Sequence, residues 1–408
     1  MTAFNILPQR KEKVNRFKKN YFCFLLFLSF DKKGDFMLIK NVNYIDKNFN
    51  KVSSSIRIQE GKIQSFSDEQ DNDIVDMGSL TALPGFVDIH SHGGSGCDFC
   101  DGTAESLHQL SLHYARNGVT SVCPTTMTLP VSELERIFSA IETFKGSEPG
   151  AYFHPINMEG PFISKEKCGA QDPENILLPD VDLFHRLHKI SPVALVDVAP
   201  ESEGVSDFAN AVKGQVTLSV AHTNATYQQT VTALENGFSH ATHFLNAMTP
   251  FTSRAPGVAG AFMENESATA EIICDGYHLA EGTLRILFNI FGEDRLCVIS
   301  DSMSSAGCPD GEYYLGGQKV YVTQGKAHLK DGTIAGSTTN MFCEFRNLLN
   351  FGIPFRSALK ACTINPARVI GADDICGSIE EGKNADMIFV DENMNLKKVM
   401  VRGRFFDI

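Results

Sequence analysis

Histidines and acidic residues stand where several short apolar runs of the chain end. His90 and His92 close the first such run, one residue apart. Because side chains alternate along a strand, both rings point to the same side. Later runs end in the same way, at Glu159, His222, His243 and Asp301. Imidazoles and carboxylates are the usual ligands of transition metals, so the pattern predicts a site for one or two such ions.

Each of these residues, taken alone, has a simpler explanation. A single histidine is more often a packed core or surface residue, and His240, at the start of its run, fits that explanation. His-x-His is a frequent chance pattern, and Glu159 alone could be a loop carboxylate. The shared position of the set favours the metal site, since the residues lie at the ends of separate strands.

Strand-sized apolar runs alternate with helical patterns through the middle of the chain. The eight runs are 86–90, 119–124, 152–159, 194–200, 217–222, 240–244, 269–274 and 296–301. Helices are predicted between several of them, at 104–117, 132–144, 227–236 and 281–291. This alternation predicts the α/β class and a (β/α)8 TIM-type barrel over residues 84–374, with reactive groups at the carboxyl ends of its strands. A doubly wound open sheet is the alternative, but no G-x-G-x-x-G follows the first run.

Short strand patterns at both ends of this region predict a second, smaller domain. Residues 37–83 are strand-like, with a hairpin turn at Glu60-Gly61. Residues 375–408 continue the same pattern. Neither segment is long enough to form a core alone, so we expect the two to build one small β-sandwich domain together.

The first 36 residues combine a basic stretch with an apolar one, as a signal peptide does. No small-residue cleavage site follows, however, and the apolar stretch is too short to span a membrane. Lys33-Gly34-Asp35 can be encoded by a purine-rich ribosome-binding sequence just ahead of Met37. We therefore expect translation to start at Met37 and residues 1–36 to be a non-native or disordered extension. Intact-mass analysis of the protein from its native cell tests this, and a mature chain that contains residues 2–36 would contradict it.

The composition narrows the classes of function. Hydrophobic residues make up 43% and charged residues 21% of the 408, which is ordinary for a globular protein and argues against disorder. The net charge of −13 gives no support for nucleic-acid binding. The eleven cysteines are scattered, which indicates reduced thiols and a cytoplasmic protein. Cys97 and Cys100 form a C-x-x-C pair without the second pair that a structural zinc site needs.

Several short motifs of the chain point to one group of enzymes. The opening motif PGFVDIHSHG (84–93) and the closing motif GSIEEGKNAD (377–386) resemble those of the amidohydrolase superfamily. Six more motifs are EGPFI (159–163), AHTNAT (221–226), THFLNAM (242–248), RAPG (254–257), DGYH (275–278) and IAGS (334–337). Together these six resemble the motifs of the N-acetylglucosamine-6-phosphate deacetylase family within that superfamily. The resemblance extends from about Met37 to the C-terminus.

The resemblance implies hydrolysis of the acetamide of N-acetyl-D-glucosamine 6-phosphate to D-glucosamine 6-phosphate and acetate. Glu159, His222 and His243 resemble the core metal ligands, and the His90–His92 pair resembles the ligands of a second ion. Asp301 resembles the catalytic general base and acid. One or two divalent ions per subunit are implied, with zinc or iron expected and manganese, cobalt or nickel as alternatives.

The resemblance also implies how the sugar phosphate is bound. The implied substrate-binding residues are Ala170, Gln171, Asn246, Ala247, Arg254, His278, Ile334, Ala335, Gly336 and Ser337. Arg254 and His278 suit a phosphate, since both donate charge-assisted hydrogen bonds. The Arg254 loop can reach a neighbouring subunit in this family, so a homodimer is implied. Gln171 stands where some members carry a histidine that polarises the acetyl carbonyl, and an amide donates a hydrogen bond without charge.

Three alternatives differ in substrate or class. N-acetylgalactosamine 6-phosphate differs from the gluco epimer at one hydroxyl, which the sequence does not distinguish. Cyclic-amide hydrolases of the superfamily often use a carboxylated lysine as bridging ligand, and Glu159 at the third strand argues against them. A metal-free structural protein on the same barrel would lose ligands, whereas this chain keeps all five and Asp301.

Overall fold

The computed structural model describes residues 36–67, 73–406 and 408. The expectation for residues 1–36 lies, apart from Phe36, outside the described residues. A parallel sheet of eight strand positions forms the centre of the fold. Its strands are Phe86–Ser91, Val119–Thr126, Tyr152–Phe153 with Ile156–Met158, Val193–Val198, Thr217–Val220, Phe238–Ala241, Thr269–Ile272 and Leu296–Val298.

Each strand pairs in parallel with the next one along the chain. The last strand meets the first just beyond their ends, where the Asp301 N–H donates to the His90 carbonyl at 3.0 Å and the His92 N–H donates to the Ser302 carbonyl at 2.8 Å. The predicted TIM-type barrel is therefore confirmed.

Some predicted strands end earlier than expected. The sixth ends at Ala241 and the eighth at Val298, although the apolar runs continue to residues 244 and 301. His243 and Asp301 have left-handed backbones, with φ of 29° and 45°. A residue with positive φ leaves the β region of backbone space and interrupts regular strand geometry, and both residues lie in the loops that follow these strands.

The four predicted helices are observed at Ala104–Arg116, Val131–Phe144, Tyr227–Glu235 and Glu281–Phe291. Thr103 caps the first of them by accepting a hydrogen bond from the Ser106 N–H. The other helices are Val181–Ile190, Val205–Val212, Gly257–Glu264, Met341–Asn350, Phe355–Cys362 and Ile364–Val369, with 3-10 turns at Phe99–Asp101, Lys165–Lys167 and Pro173–Asn175. In the described part of the chain, no helix has the length and apolar character needed to cross a membrane.

The main hydrophobic core lies between the barrel strands and the surrounding helices. Phe86 on the first strand and Phe138 and Phe262 on two helices are fully buried. Burying such a side chain stabilises the fold by about 1.5–3 kcal/mol. This packing fixes the strands whose carboxyl ends carry the candidate ligands.

The terminal segments join in one eight-stranded sheet. Its strands are Phe36–Ile45, Lys51–Gln59, Lys62–Ser65, Asp73–Asp76, Thr81–Pro84, Met387–Val390, Leu396–Val401 and Arg404–Phe406. The two termini meet where Thr81–Pro84 pairs antiparallel with Met387–Val390. The predicted turn at Glu60-Gly61 is confirmed, with both residues at positive φ. This sheet has a hydrophobic cluster of its own, and the domain boundaries 37–83 and 375–408 stay a prediction.

A three-stranded antiparallel sheet follows the eighth barrel strand and was not predicted. Its strands are Gly311–Leu315, Gln318–Thr323 and Lys326–His328. Leu315, Val320 and Val322 are buried in a small cluster that also contains Ala170. The insertion, which we call the capping sheet (residues 311–328), therefore packs against the loop that carries predicted substrate-binding residues. A second short pairing joins Gly93–Gly94 to Cys97–Asp98.

Candidate active site

Glu159, His222 and His243 converge at the carboxyl end of the barrel. Glu159 Oε1 lies 3.0 Å from His222 Nε2 and 3.2 Å from His243 Nε2. The two ring nitrogens are 3.0 Å apart. All three side chains are buried. The structure thus brings together the residues predicted as core metal ligands, which follow the third, fifth and sixth strands.

The hydrogen bonds behind this trio show that it fits a cation. His222 Nδ1 lies 2.8 Å from the Lys167 carbonyl, which can only accept, so Nδ1 carries the proton. When His222 is neutral, its Nε2 therefore carries the lone pair and can bind a cation beside Glu159. His243 can supply only one proton to this cluster, so its close contacts cannot all be hydrogen bonds. Neutral imidazoles with a carboxylate are a usual transition-metal donor set, so this trio would fit a divalent ion.

A second group shares Glu159. His92 Nε2 lies 3.3 Å from Glu159 Oε2 and 3.3 Å from Asp301 Oδ1. His90 Nε2 lies 3.6 Å from Glu159 Oε1 and 3.7 Å from Asp301 Oδ1. This nitrogen is buried and has no hydrogen-bond partner among the described residues. The trio of His90, His92 and Glu159 can hold a second ion, in line with the predicted pair.

The carboxylates of the site are held in their ionised form. Burial alone would raise the pKa of Asp301, but the hydrogen bond from His92 and the nearby histidine charges lower it. Burial likewise opposes ionisation of Glu159, and its bonds to His222 and His243 hold its pKa well below the usual value. Burial would lower the pKa of His92, which Asp301 and Glu159 nevertheless raise to about 10. Buried anions of this kind require positive charge beside them.

Three site residues adopt backbone conformations that side chains disfavour. His222, His243 and Asp301 have φ of 40°, 29° and 45°. Such conformations cost of order 1–3 kcal/mol each and persist where the surrounding structure enforces them. Each lies directly beyond a barrel strand, so the turn aims its side chain into the barrel mouth. Sequence patterns place these residues near strand ends but do not reveal this backbone strain.

Both ends of the Gln171 side-chain amide are hydrogen-bonded within the protein. Its Nε2 donates to Glu159 Oε2 at 2.6 Å, and its Oε1 accepts from the Thr128 N–H at 2.7 Å. Gln318 of the capping sheet holds the same loop, donating to the Ala170 and Gln171 carbonyls at 3.0 and 3.1 Å. Gln171 thus orients the shared carboxylate, a contact that the sequence did not indicate.

The sequence did not indicate a further layer of buried polar side chains, which lies behind the two His/Glu trios. Glu271 on the seventh strand lies 3.0 Å from His90 Nδ1 and 3.3 Å from His240 Nε2. His240 is a buried core histidine, as the simpler explanation expected. In the sequence, the one signal for a buried polar residue here was the alternation Thr269-Ala270-Glu271 of polar and apolar residues within an apolar run.

A cavity of about 270 Å³ opens in front of these groups. Its lining includes the predicted residues His92, Glu159, Ala170, Gln171, His222, His243, Asn246, Ala247, His278, Asp301, Ile334 and Gly336. Met127, Ile273 and Leu315 add apolar walls that were not predicted. A space of this size suits a small polar molecule with one apolar group.

Four predicted residues lie outside the cavity wall. His90 is fully buried beneath it, and Ala335 is packed in the cluster of the capping sheet. Ser337 is buried and supports the Asp301 loop, since its N–H donates to the Asp301 carbonyl at 2.7 Å. Arg254 is exposed on the loop before the helix Gly257–Glu264. Any substrate contact by Ala335 or Ser337 is therefore indirect within this chain.

His278 is held with one ring nitrogen towards the cavity. Its Nδ1 lies 2.8 Å from Asp275 Oδ2, and its own N–H donates to Asp275 Oδ1 at 2.8 Å. The carboxylate fixes the proton on Nδ1 and leaves Nε2 to face the cavity that His278 lines. With the proton on Nδ1, Nε2 of the neutral ring can accept from a hydroxyl group of a ligand, and the doubly protonated ring can donate to an anionic group.

Known proteins share this arrangement of the chain. Residues 81–406 match the amidohydrolase family. An N-acetylglucosamine-6-phosphate deacetylase of Lysinibacillus sphaericus is 31% identical, over 90% of this chain and 97% of the relative. An N-acetylgalactosamine-6-phosphate deacetylase of Escherichia coli O157:H7 is 32% identical, over 79% of this chain and 86% of the relative. The solved structure of an N-acetyl-D-glucosamine-6-phosphate deacetylase variant of Mycobacterium smegmatis, in complex with N-acetyl-D-glucosamine-6-phosphate, aligns with a TM-score of 0.84 at 29% identity, covering 91% of this chain and 99% of that one.

Proposed function

Because this chain belongs to the amidohydrolase family, we propose that it hydrolyses the acetamide of an N-acetylated hexosamine 6-phosphate, releasing acetate and the free amino sugar phosphate. The observation that carries the proposal is the convergence of two His/Glu trios and Asp301 on one cavity. The similarity to deacetylases over nearly the whole chain supports the same substrate class.

The residues of the cavity divide the reaction between them. Glu159, His222 and His243 would hold one divalent ion, and His90 and His92 with Glu159 would hold a second. When bound, the metal supplies Lewis acidity, which polarises the amide carbonyl and makes water more acidic. Asp301, kept ionised beside His92, accepts a proton from the attacking water. The same carboxyl group then delivers that proton to the departing amine nitrogen, which makes the amine a better leaving group.

The ligand atoms also limit the choice of metal. A set of imidazoles with carboxylates suits zinc or iron, and manganese, cobalt or nickel can occupy the same ligands. We propose two ions per subunit, with zinc or iron as the native metal.

The described cysteines are free thiols, which supports a reducing, cytoplasmic location for the protein.

The substrate is proposed to be the gluco epimer, and the galacto epimer is the second candidate. The Escherichia coli relative named for N-acetylgalactosamine 6-phosphate is 32% identical to this chain, and the Lysinibacillus sphaericus relative named for N-acetylglucosamine 6-phosphate is 31% identical. Acetate release should be measured with both epimeric phosphates and with both unphosphorylated sugars. A higher kcat/KM for N-acetylgalactosamine 6-phosphate would reverse the assignment, and no acetate from any of the four would refute the deacetylase.

The phosphate contact is proposed for Arg254, with His278 as a second donor. If Arg254 binds the phosphate in ground and transition states alike, Arg254→Ala should mainly raise KM. Charge-assisted hydrogen bonds contribute about 1.5–3 kcal/mol each, so KM should rise roughly 10- to 100-fold. Lysine should rescue only in part, because a point charge does not reproduce the guanidinium fork. Steady-state kinetics with the phosphorylated sugar measures both effects.

Unphosphorylated N-acetylglucosamine serves as the internal control, since it never makes the contact and its kcat/KM should change little. Arg346→Ala, at an exposed arginine of the helix Met341–Asn350, is the matched protein control. Arg254 lies on an exposed loop, and we propose that it reaches the partner subunit of a homodimer. Mixed dimers of Arg254→Ala and Asp301→Asn should then regain activity. Equal losses for both sugars would move the phosphate assignment elsewhere.

A further inference from the structure

Glu271 is a buried carboxylate that receives three N–H groups from the site. It lies on the seventh barrel strand and is fully buried. Its Oε2 lies 3.0 Å from His90 Nδ1 and accepts the backbone N–H of His243, also at 3.0 Å. Its Oε1 lies 3.3 Å from His240 Nε2. One side chain thus contacts a residue from each of the two metal trios.

We propose that Glu271 is a positioning residue that creates the second-ion subsite by fixing the ring and tautomer of His90 and by placing a negative charge behind that ring, an inference that rests on the metal site of the proposed function. A carboxylate oxygen accepts, so His90 Nδ1 must carry the proton. His90 Nε2 is then left with a lone pair directed at Glu159 and Asp301, 3.6 and 3.7 Å away. Only this tautomer can bind an ion through Nε2.

The negative charge of Glu271 adds to this geometric effect. A carboxylate behind a ligating imidazole makes the imidazole a better donor, and loss of such a partner typically weakens metal binding about 10- to 100-fold. The other ligand of the pair lacks this support, because His92 Nδ1 is buried without a hydrogen-bond partner among the described residues. The second subsite therefore depends on His90 being held from behind.

The same carboxylate connects the two subsites. The His243 N–H that it accepts belongs to a residue with left-handed φ of 29°, so Glu271 also stabilises the turn that aims a core ligand. His240 supports Glu271 in turn, since its Nδ1 lies 2.6 Å from the Thr269 hydroxyl and its Nε2 is thereby directed at the carboxylate. These contacts connect Thr269, at the amino end of the seventh strand, through His240 and Glu271 to His90 at the site.

Glu271→Gln tests the proposal while keeping the shape of the side chain. An amide oxygen in the place of Oε2 can still accept both the His243 N–H and the His90 Nδ1–H, which contact that same oxygen. The variant therefore preserves the first subsite and removes the negative charge behind His90. Zinc added to metal-depleted protein should fill two sites in the wild type. In Glu271→Gln the dissociation constant of the second ion should rise about 10- to 100-fold, with the first nearly unchanged. Metal analysis and competition with a chelator give both constants without an activity assay.

Asp197→Asn is the matched control. Asp197 is an equally buried carboxyl group of the barrel that accepts from the Thr242 hydroxyl at 2.7 Å, and burial raises its pKa to about 8. Asparagine therefore removes little charge, and both zinc constants should stay unchanged. Unchanged constants in Glu271→Gln, or equal weakening of both ions, would overturn the inference. A wild type that holds one ion would overturn it as well, whereas a wild type that holds none would refute the metal site itself. If Glu271→Gln does not fold, Glu271→Asp, which shortens the carboxylate by one methylene, must weaken the second ion for the inference to stand.

Discussion

Asp301→Asn should lower kcat by at least about 100-fold, the lower end of a general acid–base contribution. The buried carboxyl group lies 3.3 Å from His92 at the mouth of the barrel, with its pKa held below the usual value. An amide at this position can neither take the proton of the attacking water nor return one to the amine. Steady-state acetate release by wild type and variant measures the loss.

Bound metal should be largely retained in the Asp301→Asn protein, because Glu159 and the four histidines still supply the ligands of both trios. Metal content and thermal unfolding measured beside kcat therefore separate a chemical defect from a collapsed site. Near-normal turnover in a folded, metal-loaded variant would exclude Asp301 as the general base and acid.

Glu159→Ala should remove metal and activity together. Glu159 is the one residue common to both His/Glu trios, with contacts of 3.0 and 3.2 Å to the core histidines and 3.3 Å to His92. Its loss leaves buried imidazoles without the anion that balances a bound cation. We expect less than one ion per chain by metal analysis and no measurable acetate release.

The double variant His90→Ala with His92→Ala gives the contrasting result. It should lose only the second ion, so metal stoichiometry should fall from near two in the wild type to near one. His222→Ala should resemble Glu159→Ala, since His222 belongs to the core trio. Equal metal content in wild type and double variant would argue against two sites, and full metal content in Glu159→Ala would remove Glu159 from the ligand set.

Periodicity and residue type predicted the barrel fold and most of the residues that line the cavity. The eight apolar runs correspond to observed strands because barrel strands are buried on both faces and so read as continuous apolar stretches. The helix over residues 281–291 corresponds to an observed helix because it buries one face. The position of Glu159 and the histidines after strands follows from the same local pattern. What these patterns predict is which residues share the barrel mouth.

The contacts between those residues could not be predicted in this way. Gln171 bonding to Glu159, and Glu271 bonding to His90, join residues that lie 12 and 181 positions apart. Such pairs depend on the register of the closed barrel rather than on local sequence. The capping sheet was missed because its strands are short and partly exposed, so their apolar pattern is weak.

The capping sheet has a consequence for engineering and for the divergence of relatives. Gln318 donates hydrogen bonds to the backbone carbonyls of Ala170 and Gln171, and Gln171 donates one to the Glu159 carboxylate. A library of variants that changes the capping sheet so that a different sugar fits will therefore also disturb the proposed metal ligand Glu159. Substrate range and metal affinity are expected to vary together across such a library. Selections for new specificity should accordingly be run at controlled zinc concentration, since improved variants can otherwise reflect metal retention alone.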